Sequence, residues 1–83
     1  MRLLRLYLRP ECHLCEEARA ILGPIAEEAG DVVVEEVDIE SDEDLLRAYL
    51  ERIPVLELDG RVIGELVPDA SALRAALLHT SAR

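Results

Sequence analysis

A chain of 83 residues is of the size of one domain, residues 1–83, and its hydrophobic content of 51% is enough for a small core. The core must be aliphatic, because Tyr7 and Tyr49 are the only aromatic residues. The net charge is −9, and such a surface repels phosphate, which argues against nucleic acid as a partner. Ten acidic residues and no basic ones lie between Glu27 and Asp44, which favours a solvated acidic face.

The first residues, MRLLRLYL, are too short and too charged to form a signal peptide or a membrane span. We therefore expect a cytoplasmic protein without a membrane partner, and we expect a monomer. Structural disulfides are rare in the reducing cytoplasm, so two closely spaced cysteines are more typical there of a metal site or a catalytic centre.

The first part of the chain predicts a β-α-β unit. Leu3–Arg9 alternates partly between apolar and polar residues, which predicts a strand. Apolar residues then recur at helical spacing up to Gly30, a plausible stop, and Pro24 should kink or divide this helix. Asp31–Ile39 is rich in β-branched residues and predicts a second strand, parallel to the first.

The second part predicts a helix, a hairpin and a last helix. The segment SDEDLLRAYLE predicts a short helix with Ser41 and Asp44 as a capping box. Asp59 and Gly60 separate two apolar runs and predict a hairpin with a type I′ turn, and Asp69 caps the last helix. The order β-α-β-α-β-β-α predicts an α/β fold in which a four-stranded mixed sheet has helices on both faces.

The first helix opens with the only two cysteines, Cys12 and Cys15, in the segment RPECHLC. A helix N-terminus presents unpaired N–H groups and partial positive charge, which stabilise a thiolate. We therefore predict that Cys12 is a nucleophile and that Cys15, one turn deeper, resolves the mixed disulfide. His13 either adds positive charge near the Cys12 sulfur or is an exposed spacer.

Other interpretations of the cysteine pair stay open. Zinc usually takes four ligands, and the only histidines that could complete a site are His13 and His79. His79 fits better as a surface residue that compensates the dipole of the last helix. Haem attachment requires a histidine after the second cysteine, which this chain lacks. Inert buried thiols need no such spacing but remain an alternative.

The segment ERIPVLEL places Ile53 and Pro54 at the start of the third strand. With RPECHLC and the glycine at position 64, it makes the chain resemble the glutaredoxin branch of the thioredoxin superfamily over essentially its whole length. The nearest likeness is to small glutaredoxin-like proteins with Cys-His-Leu-Cys. The resemblance implies a thioredoxin-like fold, thiol–disulfide oxidoreductase activity, Cys12 as nucleophile, Cys15 as resolving thiol, and a cis Pro54 that faces them.

The resemblance also implies substrate contacts. Glutaredoxins bind glutathione through a basic residue before the first cysteine, a tyrosine between the cysteines, the backbone before the cis proline, and a glycine-rich turn. Arg9 keeps the basic role, and Arg52 is a further candidate anion contact. The positions that correspond to substrate contacts are Arg9, His13, Leu14, Ile53 and Gly64.

The chain departs from that pattern at three places. Leu14 replaces the tyrosine, Glu65 replaces the second glycine, and Val67-Pro68 replaces polar residues. Because Glu65 would repel an anionic peptide, we expect the protein not to depend on glutathione. The expected substrate is a protein or small-molecule disulfide, with an unidentified reductant and no cofactor besides the redox-active Cys12–Cys15 disulfide. The competing hypothesis is a non-enzymatic protein-binding module, or, with less support, a metal-binding module.

Overall fold

The structure is a computed structural model that describes residues 1–78, so His79 and its expected role lie outside the described residues. The predicted order of elements is confirmed. The elements are β1 (Arg2–Leu8), α1 (His13–Ala29), β2 (Val32–Asp38), a 3-10 turn (Ile39–Ser41), α2 (Glu43–Tyr49), β3 (Val55–Leu58), β4 (Arg61–Glu65) and α3 (Ala70–Leu78).

The four strands form one mixed sheet in the order β2-β1-β3-β4. β1 is parallel to β2, as predicted, and antiparallel to β3, which forms the antiparallel hairpin with β4. Leu6 in β1 lies opposite Glu36 in β2, and Glu36 binds Arg19 of α1. Tyr7 points to the other face, where its ring stacks on Tyr49 of α2 at 4.6 Å. Helices therefore cover both faces of the sheet.

The core is aliphatic, as the composition requires. It lies between the sheet and the pair of helices α1 and α3, which pack against each other. The largest fully buried side chains are Leu4, Leu6, Leu22, Ile39, Leu77, Val55 and Pro54. None of the described helices is long and apolar enough to cross a membrane.

Pro24 does not divide the first helix, so that part of the prediction is wrong. α1 continues from His13 to Ala29 with Pro24 inside it. Pro24 is exposed, whereas Leu22, Ile25 and Ala26 are buried in the core. The loss of one backbone hydrogen bond on the solvent side is outweighed by the burial of these neighbouring side chains.

The predicted capping box of the second helix is also wrong, because a 3-10 turn comes before α2. Ser41 belongs to that turn, and its hydroxyl donates to the Asp38 carbonyl at 2.6 Å. The cap is Asp42, whose Oδ1 accepts from the Asp44 N–H at 2.7 Å. The Asp44 side chain therefore stands at the second helical position and not at the position that a capping box needs.

The hairpin and the last helix begin as predicted. Asp59 and Gly60 have φ of 48° and 90°, the positive values that a type I′ turn requires at both central positions. At the start of α3, Asp69 Oδ1 accepts from the backbone N–H groups of Ser71 and Ala72, at 3.0 and 3.2 Å.

Ion pairs tie the elements together. The segment between residues 27 and 44 holds ten acidic residues and no basic one, and half of those acids contact arginines from elsewhere in the chain. The expectation of a merely solvated acidic face was therefore incomplete. The pairs are Arg2–Asp31, Arg5–Glu35, Arg9–Glu40, Arg19–Glu36 and Arg74–Glu28.

Candidate redox site at the start of the first helix

Three segments of the chain meet at one edge of the sheet. β1 ends there, β3 begins there and β4 ends there, because Tyr7 lies opposite Val55 and Val55 lies opposite Glu65. The next segments along the chain, which are the turn that leads to Cys12, the Ile53-Pro54 peptide and the loop after β4, therefore share this edge. The N-terminus of α1 also starts here.

The turn between β1 and α1 positions the first cysteine. Pro10 stands at its second position and Glu11, with φ of 59°, at its third, which is the sequence and dihedral pattern of a type II turn. The chain reverses through this turn, so Cys12 becomes the N-cap residue of α1, with extended dihedrals of −109° and 109°. Its carbonyl accepts from the Glu16 N–H at 3.1 Å, the first hydrogen bond of the helix.

The Cys12 sulfur takes the place of a capping oxygen. The backbone N–H of Cys15 donates to Cys12 Sγ at 3.2 Å, a bond that a serine or aspartate oxygen makes at an ordinary N-cap. A negative sulfur at this position gains a hydrogen bond and the field of the helix N-terminus. This geometry therefore suits a thiolate at position 12, and the thiolate is in general the form of cysteine that reacts with disulfides.

A disulfide joins Cys12 and Cys15, whose Cα atoms are 5.2 Å apart. Cys15 is 2% exposed and belongs to the core, whereas Cys12 is only partly buried. One sulfur is therefore accessible and the other lies behind it. In this oxidised state neither sulfur is available as a thiolate ligand, and residues 1–78 contain no group of three or more His, Cys, Asp or Glu placed to hold a metal ion.

The segment before β3 is anchored by backbone hydrogen bonds. The Ile53-Pro54 peptide bond is cis, and both residues are buried. The Ile53 N–H donates to the Tyr49 carbonyl at 3.0 Å, and the Leu66 N–H lies within bonding distance of the Arg52 and Pro54 carbonyls, at 3.0 and 3.1 Å. The Ile53 N–H is thus already hydrogen-bonded within the protein. The Ile53 carbonyl is therefore the backbone group of this residue that could accept from a ligand.

Both candidate anion contacts are held by carboxylates. Arg9 Nη2 lies 2.8 Å from Glu40 Oε2, in the 3-10 turn after β2. Arg52 binds Glu65 with two nitrogens, at 3.3 and 2.9 Å, and its guanidinium carbon lies 5.1 Å from the centre of the Tyr49 ring. The hydrogen bond from Arg52 is the main reason that the pKa of Glu65 lies below its usual value.

Sequence reasoning placed Arg9 and Arg52 near the site but missed their partners. Glu40 is separated from Arg9 by 31 residues and Glu65 from Arg52 by 13, and no local pattern signals either pair. The strand register could have indicated them, because it brings together the ends of β1 and β2 and places the end of β4 beside the start of β3.

The other predicted contacts lie in different surroundings. His13 is 87% exposed, and its Nε2 is 2.9 Å from Glu17 Oε2 one turn along the helix, so it is an exposed residue with an acidic partner. Leu14 is 38% exposed between the cysteines. Gly64 lies within β4 opposite Leu56 and has no positive φ, so its backbone does not require glycine.

The loop after β4 departs from a glycine-rich turn. The positive φ in this loop, 68°, belongs to Leu66, and the Val67 N–H donates to the Glu65 carbonyl at 2.9 Å. Leu66 and Val67 are exposed at 46% and 72%. The loop therefore presents apolar side chains beside the Arg52–Glu65 pair.

The fold and the cysteine pair define the class of protein. A four-stranded mixed sheet with Cys-X-X-Cys at the N-terminus of the first helix is the arrangement of the thioredoxin superfamily. Solved structures agree. A structural-genomics target protein from X. campestris, XcR50, is 39% identical, covers 89% of this chain and 93% of its own, and superposes with a TM-score of 0.73. Protein Ne2328 from Nitrosomonas europaea is 32% identical, covers 92% of this chain and 91% of its own, and superposes with a TM-score of 0.76.

A thioredoxin shares the same fold. A mutant thioredoxin from Halobacterium salinarum is 25% identical, with 99% of this chain and 76% of that chain covered at a TM-score of 0.71. The family model described as Glutaredoxin-like domain (DUF836) matches residues 3–78. The chain therefore belongs to the glutaredoxin-like domain family. No curated protein matches the chain.

Proposed function

We propose that this glutaredoxin-like protein is a thiol–disulfide oxidoreductase, with Cys12 as nucleophile and Cys15 as resolving thiol. The observation that carries the proposal is the position of the Cys12 sulfur, which accepts the Cys15 N–H at the helix N-cap and is disulfide-bonded to a buried Cys15. An accessible sulfur stabilised as a thiolate, with a shielded second sulfur behind it, is what dithiol exchange requires.

The reaction begins with the reduced protein. The Cys12 thiolate attacks one sulfur of the substrate, a bond forms between them, and the substrate disulfide breaks to release its other half as a thiolate. The Cys15 thiolate then attacks Cys12 Sγ, which forms the Cys12–Cys15 disulfide and releases the rest of the substrate. The two cysteines give up two electrons to the substrate, and the released thiolates take protons from water. An external thiol reductant restores the protein.

The remaining residues are proposed to position the substrate. Pro54 lies at the sheet edge where α1 begins, and the Ile53 carbonyl is the backbone group there that could accept from a bound substrate. Leu14 offers an exposed apolar contact between the cysteines. Arg9, His13 and Gly64 remain candidates, but Arg9 and His13 can meet a ligand only if it competes with Glu40 and Glu17.

The proposed setting follows from this chemistry. The substrate is a protein or small-molecule disulfide, the redox-active group is the cysteine pair itself, and we propose a cytoplasmic monomer without nucleic-acid partners. Dependence on glutathione has little support, because the Ile53 N–H is engaged with Tyr49 and Glu65 stands where the family has glycine.

The test is reduction of insulin disulfides with dithiothreitol as reductant, followed by turbidity. Cys12→Ser should abolish the activity, whereas Cys15→Ser should retain the attack and accumulate a mixed disulfide that mass spectrometry detects. Ser71→Ala, an exposed change in α3, is the matched control and should leave the rate unchanged. Wild-type protein that does not accelerate the reaction would refute the oxidoreductase, and a cellular phenotype rescued fully by Cys12→Ser would favour the binding module.

A further inference from the structure

We propose that the site discriminates by charge: it reduces neutral and cationic disulfides in preference to anionic ones, because Glu40 and Glu65 occupy the two arginines that flank it. This inference rests on the proposed function and names its substrate class. It assigns a specificity-determining role to two carboxylates that do not touch the sulfurs.

The first of these pairs lies in the turn before Cys12. Arg9 follows β1 directly, three residues before the nucleophile, and would be the natural contact for a substrate carboxylate. The parallel pairing of β1 and β2 brings the 3-10 turn to the same edge, and Glu40 in that turn binds Arg9 at 2.8 Å. An anionic substrate therefore meets a guanidinium whose charge Glu40 already balances.

The second pair lies before the Ile53-Pro54 peptide. Glu65 ends β4, across β3 from the end of β1, and binds Arg52 with both carboxylate oxygens. The Tyr49 ring holds the guanidinium from its face, so Arg52 is fixed on two sides. Separating a bidentate, stacked arginine from its carboxylate costs more free energy than breaking one hydrogen bond, because no single water replaces both hydrogen bonds.

The surroundings of the cysteine pair add negative charge. Glu11 and Glu16 are exposed and lie on either side of the CxxC motif, and the imidazole of His13 is paired with Glu17. The whole chain has a net charge of −9. The electrostatic field at this edge therefore repels anions and attracts cations. The exposed Leu14 offers an apolar contact for uncharged substrate groups.

The expected size of the effect follows from Coulomb's law. If the separation between the released cation and a substrate carboxylate is taken as about 6–8 Å and the effective dielectric as about 40–80, the rate changes about two- to tenfold. At an ionic strength of about 0.1 M the Debye length is about 10 Å, so a charge more than twice that distance away has little influence.

The experiment compares three small disulfides of similar size: cystamine as a dication, 2-hydroxyethyl disulfide as a neutral compound, and 3,3′-dithiodipropionate as a dianion. Pre-reduced protein is mixed with each disulfide, quenched by alkylation and analysed by mass spectrometry. Each second-order rate constant is divided by that of the same disulfide with dithiothreitol, which removes differences in the leaving thiol. In the wild-type protein the normalised rates should fall in the order dication, neutral compound, dianion, and the differences should shrink as salt is added.

The variants test the two carboxylates. Glu40→Gln and Glu65→Gln should each raise the normalised rate for the dianion about two- to tenfold and leave the neutral compound within about twofold. The double variant Arg52→Gln with Glu65→Gln should lose the gain of Glu65→Gln, because no cation is then released. The double variant separates release of Arg52 from a general loosening of the loop.

Glu28→Gln is the matched control. Glu28 pairs with Arg74 near the far end of α1, about 24 Å from Cys12 at about 1.5 Å per helical residue. This substitution makes the same change in net charge and also frees an arginine, but it should not alter the normalised rates.

Three results overturn the inference while the proposed function stands. The first is equal normalised rates for the three disulfides in the wild-type protein, and the second is no change for the dianion in Glu40→Gln and Glu65→Gln. An equal gain in Glu28→Gln also overturns it, because net charge alone would then explain the effect. If the reduced protein reacts with none of the disulfides and does not reduce insulin, the proposed function fails, and the inference fails with it.

Discussion

Gly23 provides a test of the first helix that does not touch the redox site. It stands inside α1 without a positive φ, and a Cβ built on it meets no heavy atom within 4 Å. The change Gly23→Ala should therefore add no clash with residues beyond its two chain neighbours, and the contact of the new Cβ with the Cδ of Pro24 is the one steric cost. The change should also reduce the conformational freedom of the unfolded chain. In a helix interior this stabilises by roughly 0.5–1 kcal/mol. For a domain of this size the midpoint of thermal unfolding should rise by about 2–8 °C.

Gly30 and Gly60 are the matched controls. A Cβ at either position also meets nothing within 4 Å, but their φ angles are +83° and +90°. Alanine at such a φ costs about 1–2 kcal/mol, which exceeds the gain of about 0.4–1 kcal/mol from the unfolded state. Gly30→Ala and Gly60→Ala should therefore lower the unfolding midpoint. The three substitutions differ in backbone φ, and Gly23 also differs from the controls because it precedes a proline.

Urea and thermal unfolding, followed by far-UV circular dichroism on the oxidised protein, give the three free energies on one scale. The reasoning is refuted if Gly23→Ala destabilises as much as Gly60→Ala. That result would mean that the clash of the Pro24 Cδ with a side chain at position 23 costs more than the gain in helix propensity.

Two further predictions concern the ends of elements. The hydrogen bond from Arg2 is the main reason that the pKa of Asp31 lies below its usual 3.8. A lowered pKa in the folded state stabilises the fold above the unfolded pKa, and that stabilisation is lost as the pH falls through the folded value. Asp31→Asn should therefore lower the unfolding midpoint at pH 7, and its difference from wild type should shrink as the pH falls from 3.8 toward the lower pKa of the folded state. A constant difference across this range would contradict the assigned pairing. Asp69→Ala removes the cap of α3 and should cost about 1 kcal/mol in urea unfolding, whereas the exposed Ser71→Ala should change it by less than about 0.5 kcal/mol.

The sequence was sufficient to predict the kind and order of the elements, because each has a clear pattern. Apolar spacing indicated the helices, β-branched runs indicated the strands, and Asp59-Gly60 indicated the hairpin turn. The strand order β2-β1-β3-β4 did not follow from patterns alone, since it depends on pairing between residues about 30 to 50 positions apart. The resemblance to glutaredoxins implied the arrangement that local physics left open.

The errors have local causes. Pro24 was weighed as an isolated helix breaker, but the burial of Leu22 and Ile25 on the opposite side keeps the helix intact. Ser41 was assigned as a cap because serine is a good cap, but Asp42 follows it, and the Asp38 carbonyl accepts the Ser41 hydroxyl. A continuous and a divided first helix have similar local energies, as do Ser41 and Asp42 as caps of the second helix. Contacts with neighbouring or distant residues decided each case.

The site was predicted where its chemistry is local and missed where it is distant. The cysteine spacing and the helix N-terminus suffice to place Cys12 and Cys15, because all the relevant atoms lie within one helical turn. The charges around them depend instead on which carboxylate each arginine meets. The prediction that Glu65 repels an anion was physically incomplete, since Glu65 also holds Arg52.

The arginine pairs connect stability to specificity. A chain without lysine supplies all its positive charge as guanidinium groups, which bind carboxylates through two nitrogens. The ion pairs of Arg2 with Asp31 and of Arg19 with Glu36 join β1 to the residue before β2 and α1 to β2. At the edge that holds the cysteines, we propose that the same kind of ion pair neutralises the arginines on which an anionic substrate would rely. Under the proposed discrimination, the loss of either ion pair should therefore shift the preference toward anionic disulfides, at the cost of a contact that also holds the fold together.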